Sequence, residues 1–230
     1  MPQLNGPSIS SLTKCIKSKN KPKHKKNKID DGKTNYKKGG PTMSSLEQLA
    51  KVVLEKSESK RWDTAVKEWD LVDTNEDESA LSTCVCGKTG LRYLHRITNL
   101  INHQSIYPIG SCCIKRFARS DLNEKIDVEE KLFRLYHAVD SNQFLSLSPE
   151  LFSRKLITYL YTEGAFDSND PSYTSKNDCQ FFLDMFNKRN KATITVKQDK
   201  KIKAILLNNI RPFIKKQLKG KFISPNKTSK

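Results

Sequence analysis

Four of the chain's six cysteines stand at the two ends of one short segment, CVCGKTGLRYLHRITNLINHQSIYPIGSCCIKRF, residues 84–117. A segment this short cannot bury a sufficient core of its own, so a cross-link between its ends has to help hold it. The basic N-terminus is never followed by an apolar run of the kind a secretory signal needs. Nor does any stretch approach the ~20 apolar residues of a membrane-spanning helix. The chain therefore reads as cytoplasmic. Thiols stay reduced in that compartment, and clustered cysteines there point to a metal before a disulfide.

Cys84-x-Cys86-Gly87 is a tight turn that presents two sulfurs together, the glycine letting the backbone curl around them. LRYLHRI alternates like a strand, with Leu91, Tyr93, His95 and Ile97 on one face. SIYPI can return antiparallel, with NLINHQ around the tip. Gly110-Ser111 then leads into Cys112-Cys113-Ile114 and a helix. Knuckle, hairpin and helix start together make a treble-clef-like plan, in which a structural Zn²⁺ takes four N or S ligands in a tetrahedron. Cys84, Cys86 and Cys113 are the natural ligands. For the fourth, Cys112 is favoured by proximity, although neighbouring cysteines strain to reach one ion. His95 is the alternative, about 16 Å up the strand at ~3.3 Å per residue. His103 ranks third, and water or a partner's side chain stays open. The competing reading is that these are ordinary small buried thiols. Cys179 reads as core and Cys15 as incidental.

The segment CVCGK…LRY…RITN…YPIGSCCIKRF resembles a CxCG…PIGSxCI pattern found in uncharacterised proteins of Gram-positive bacteria and their phages or mobile elements. The likeness covers residues 84–117. The W..A..EW stretch before it, and LFSRKLITYLYTEGAF and FFLDMFNKR after it, extend the likeness to about residues 43–220. Cys84, Cys86 and Cys113 match the recurrent cysteines of that pattern, whereas Cys112 falls at its variable position. The resemblance implies a taxonomic setting and no activity.

Along the rest of the chain, residues 1–42 lack apolar periodicity and are expected to be a disordered basic tail. This tail reads as a basic arm that reaches for phosphate, as a solvated tail, or, since Gly39-Gly40 can be encoded as a purine-rich ribosome-binding sequence shortly upstream of the Met43 codon, as a segment ahead of a native start at Met43. Ser44 with Glu47 forms a capping box for a first helix, and KRWDTAVKEWDLV puts Trp62, Ala65, Val66 and Trp69 on one face of a second. DTNEDES (73–79) reads as a surface loop. DVEEKLFRLYHAV carries a stripe of Val128, Leu132, Leu135, Tyr136 and Val139. Ser148-Pro149 should open a further helix that Gly164 stops. DCQFFLDMFNKR follows, and then a long basic helix with Thr195 and Gln198 as capping box and Pro212 bending or breaking it. The expected fold is mainly α with a small treble-clef-like β-hairpin zinc insert. Its divisions are the tail 1–42, N-terminal helices 43–83, the zinc-binding hairpin module 84–120, a C-terminal helical domain 121–222 and a disordered tail 223–230.

The formal charge of +17 sits at the ends: residues 1–42 carry a net of +9, residues 191–230 carry +11 and the middle −3. Such asymmetry points to a polyanion, although Lys-rich composition also follows from AT-rich coding. A nucleic-acid-binding accessory protein would use Arg92, Arg96, Lys115, Arg116 and Arg119 beside the zinc module. Lys197, Lys200, Lys201, Lys203, Arg211, Lys215, Lys216 and Lys219 on the last helix would add phosphate contacts with weak sequence preference. The alternative is an interaction or inhibitory module that binds an acidic host protein. No small-molecule substrate is evident, and a non-catalytic role is favoured. Gly87-Lys88-Thr89 imitates the end of a phosphate-binding loop, but Ser82 stands where that motif needs its first glycine. HExxH, GxGxxG and GxSxG are missing. So is the placement of Glu and cysteines that a zinc deaminase requires.

Overall fold

The computed structural model describes residues 43–141, 146–167 and 174–223. The tail expected over 1–42 and all but the first residue of the one expected over 223–230 lie outside the described residues. Helix α1 (Ser45–Lys56) opens as its capping box requires. Ser44 Oγ accepts the Glu47 N–H at 3.3 Å and Glu47 Oε2 accepts the Ser44 N–H at 2.7 Å. The second expected helix is cut short. Residues Trp62–Ala65 form α2, a 3-10 turn takes Val66–Glu68, and the chain then extends as β1 (Trp69–Asp77).

Most of the acidic stretch expected as a surface loop is therefore strand. Its buried carboxylates are matched rather than solvated. Glu76 is fully buried and accepts from Arg92 Nε at 2.6 Å, with His137 Nε2 at 2.7 Å from its other oxygen. Thr74, also fully buried, bonds His95.

Four strands follow: β2 (Ser82–Thr83), β3 (Thr89–Leu91), β4 (Tyr93–Asn99) and β5 (Ser105–Ile109), with β6 (Phe222–Ile223) returning from the far end of the chain. The main sheet has the order β5-β4-β1-β6; its first two pairings are antiparallel and β6 lies parallel to β1. β2 and β3 pair separately. The expected hairpin is thus one half of a four-stranded sheet and no isolated insert, and the fold is mixed, helices with a small sheet. Both faces of β4 are covered: Leu94 and His95, neighbours in sequence and so on opposite faces, are both buried.

The helices are α3 (Ser111–Lys115), α4 (Ser120–Asp140), α5 (Arg154–Thr162), α6 (Ser175–Asn187), α7 (Val196–Ile205) and α8 (Arg211–Gln217). The 21 residues of α4 serve two cores. Leu122 and Ile126 join Leu49, Trp69, Ile97 and Ile114 around the sheet and the cysteines. Val128, Leu132, Leu135 and Val139, the predicted stripe, join Phe152, Phe182 and Ile214 among the helices.

Two helix ends differ from expectation. Ser148-Pro149 makes only a turn, closed by the Phe152 N–H on the Ser148 carbonyl at 2.9 Å. Helix α5 starts later because Ser153 Oγ accepts the Leu156 N–H. It stops at Gly164, whose φ of +81° lets the Ala165 N–H reach back to the Leu160 carbonyl at 2.7 Å. Pro212 does not break the last helix. One π turn, Leu206–Ile210, joins α7 to α8 and makes room for the ring and its missing N–H.

Asp77 ends β1 and gathers the turn that leads to the cysteines. It accepts from Ser79 N and Oγ (3.0 and 2.5 Å), Leu81 N (3.2 Å), and Ser82 N and Oγ (2.9 and 2.7 Å). The Ser79 and Ser82 hydroxyls, working against burial and helped by the backbone N–H groups, hold its carboxyl at about 2. An unfolded Asp titrates at about 3.9. The stabilisation is complete above that value and is lost as pH falls through about 2. Asp77→Asn is expected to cost about 1–2 kcal/mol at neutral pH. In urea titrations the gap to wild type should narrow steadily below about pH 4; a gap constant with pH would contradict this role.

Candidate metal centre

The cysteine turn is built by its backbone. The Cys84 N–H donates to the Lys88 carbonyl and the Gly87 N–H to the Cys84 carbonyl, both at 2.8 Å. Gly87 has φ +83°, and a Cβ there would come within 3.0 Å of Gln48 Oε1, so glycine serves both the turn and the close approach of α1. The Val85 N–H donates to the Pro108 carbonyl at 3.0 Å and fastens the turn to β5. On the other side, α3 closes its first turn on Gly110 and carries Cys113, while Ile114 is fully buried beneath it. Phe117 meets the Trp62 ring edge-on at 5.5 Å.

The result is that Cys84, Cys86 and Cys113 are buried with their sulfurs all within 4.8 Å of one another. The Cys84 and Cys113 sulfurs are 3.6 Å apart. A disulfide would need ~2.05 Å, whereas two thiolates on a tetrahedral metal with ~2.3 Å bonds sit about 3.8 Å apart. The group can hold a metal ion. The contact with the Cys113 sulfur and, against burial, the Cys86 and Gly110 N–H groups bring Cys84 well below the usual thiol range. The same contact, together with burial, pushes the Cys113 thiol up. A bound cation would favour the ionised form of both.

The other nominated ligands lie outside this group. Cys112 is exposed, although it borders the same cleft of about 170 Å³ as the three thiols. His95 is fully buried with both ring nitrogens engaged. Ser111 Oγ spends its proton on Glu130 at 2.5 Å, so it accepts from His95 Nε2 at 3.2 Å. That leaves Nδ1 to accept from Thr74 Oγ1 at 3.0 Å. His95 ties β4 to β1 and α3. His103 is exposed at the β4–β5 turn, and Cys179 is buried in the helical core.

The nominated basic residues divide. Arg119 is structural, donating to the carbonyls of Val66, Lys67 and Trp69 and pairing with Asp121. Arg92 is drawn to Glu76, Arg116 Nη1 is buried without a hydrogen-bond partner among the described residues, and Arg211 reaches the Val139 carbonyl at 3.3 Å. Arg96 stacks 4.2 Å over the Tyr107 ring. Lys115, Lys201, Lys203 and Lys215 pair with Asp127, Asp178, Asp199 and Asp140. Lys197, Lys200, Lys216 and Lys219 are exposed and make no ion pair among the described residues.

Sequence reasoning missed the buried acids of β1 and their partner His137. Thr74 and Glu76, two residues apart, share one buried face of the strand, and their polarity hid it. No described helix is long and apolar enough to cross a membrane. Compared with protein-family models, curated proteins and solved structures, the chain matches none.

Proposed function

We propose that Cys84, Cys86 and Cys113 hold a structural Zn²⁺ in a treble-clef-like module, and that the protein is a non-catalytic, cytoplasmic nucleic-acid-binding accessory protein of a bacterium, phage or mobile element. Buried thiolates at tetrahedral spacing favour a soft metal, and zinc adds no redox chemistry in a reducing compartment. When bound, the ion supplies a clamp between the turn and α3. Three thiolates leave one position, for which Cys112 and water compete. If Cys112 fills it, Cys112→Ser weakens zinc retention against a chelator; if water does, the variant retains zinc as wild type does.

The observation that carries the nucleic-acid reading is the set of exposed, unpaired lysines 197, 200, 216 and 219 on and just beyond the last helices, in a chain of net charge +17. Lysine point charges suit phosphate and carry little base information. Binding to duplex DNA, single-stranded DNA and RNA, titrated with salt, tests it. Affinity should fall steeply as salt rises. Each of Lys197→Gln, Lys200→Gln, Lys216→Gln and Lys219→Gln should lower the duplex slope by about 0.9 if its lysine meets a phosphate. No affinity at low salt ends the reading and leaves the same lysines to an acidic protein partner.

A further inference from the structure

A cleft of about 620 Å³ opens between β1, α4 and α5, and none of the cysteines line it. Its wall is mostly apolar, formed by Leu71, Val72, Val128 and the ring of Tyr159, and its size falls in the range of small-molecule sites. Most of the charge at its mouth is already matched. Lys125 meets Asp70 at 2.7 Å, Lys155 meets Glu124, Asp121 meets Arg119 and Asp73 meets Lys221 at 3.3 Å. Arg154 is exposed to water and donates to Asn187 at 2.7 Å.

Glu129 is the exception. It lines the cleft, one of its oxygens is shut off from water, and its carboxyl has neither a hydrogen bond nor an ion pair among the described residues. Burial pushes this carboxyl up, against the charge of Lys221. Tyr159 is pushed up to about 12 by its own burial and then by the charge of Glu129. An acid left without a partner against an apolar wall is costly in the empty protein, and a cation brought in from outside relieves that cost.

We propose that this cleft binds a small organic cation, an amine or guanidine on an apolar body, with its charge at Glu129 and its hydrocarbon against Leu71, Val72, Val128 and Tyr159. An anionic ligand would meet the unpartnered Glu129, with Lys125 and Lys155 already held by Asp70 and Glu124, and is disfavoured.

The test is amide NMR of the full chain titrated with benzylamine, benzyl alcohol and phenylacetate. Benzylamine should give saturable shifts at Val72, Val128 and Thr158. Benzyl alcohol should bind about tenfold more weakly, the worth of one charge-assisted hydrogen bond, and phenylacetate should leave these amides unmoved. Glu129→Gln should bring benzylamine down to the level of the alcohol while the spectrum stays folded. Thr158→Trp, which fills the cleft from α5, should abolish binding of both. The proposal is overturned if benzylamine produces no saturable shifts, if its shifts centre elsewhere, or if Glu129→Gln binds it as well as wild type does.

Discussion

Cys84→Ser is expected to release the proposed zinc and unfold the chain from β2 to α3. Two effects compete here, and their sizes decide. The surrounding core buries Leu91, Ile97, Ile109, Ile114 and Phe117, which argues for a segment that stands on packing alone. Fully burying such side chains is worth about 1.5–3 kcal/mol each, but ordering the backbone costs roughly 1–2 kcal/mol per residue. The knuckle adds Val85 and the first turn of α3 adds Ile114, but the rest of both is backbone to be ordered around cysteine. Structural zinc in small modules contributes about 10–16 kcal/mol, comparable with the whole stability of a typical domain at 5–15 kcal/mol. The metal wins. Zinc per chain should fall from one to near zero in the variant, and the amide spectrum of residues 84–117 should collapse. Wild type stripped by a chelator should look the same. A metal-free wild type as stable as the loaded protein would reduce the three sulfurs to packing.

Phe133→Ala is the second large effect. Phe133 is fully exposed to other side chains and not at all to water. Its ring lies 5.8 Å from that of Tyr93 on β4 and 5.6 Å from that of Phe222 on β6. Removing it takes away the transfer energy of a phenyl ring and leaves a hole that the strands, pinned by their own ladder, cannot close. The expected loss is about 3–5 kcal/mol. For a chain this size that lowers the melting temperature by on the order of 10 °C. Phe133→Leu should recover more than half of it. A Phe133→Ala protein that melts within a degree or two of wild type would mean that the ring is not packed as described.

Where side chains obey a periodic rule, the sequence was readable. The stripe on α4, the capping boxes at Ser44 and Thr195, the stop at Gly164, and the meeting of Cys84, Cys86 and Cys113 all follow from local chemistry or from a cross-link. Strand β1 was not readable, because what buries it is pairing rather than hydropathy. Glu76 is inside only because Arg92 and His137 come from elsewhere to meet it, and no local pattern announces partners 16 and 61 residues away. His95, the alternative to Cys112 as fourth ligand, has distant partners of the same kind: the Ser111 and Thr74 hydroxyls use both of its nitrogens. Of the bend or break expected at Pro212 no break occurs, because the cost of proline assumes an α turn, and a π turn escapes that cost.

The parallel pairing of β6 with β1 has a consequence for synthesis. Glu76 and Asp77 are made early, yet their neighbours on that side, Phe222 and Ile223, are among the last described residues to leave the ribosome. Throughout translation that rim presents unmet amides and carbonyls, an open template for a stray strand from another nascent chain. Crowded expression should therefore aggregate chains truncated before residue 222 far more readily than full-length ones.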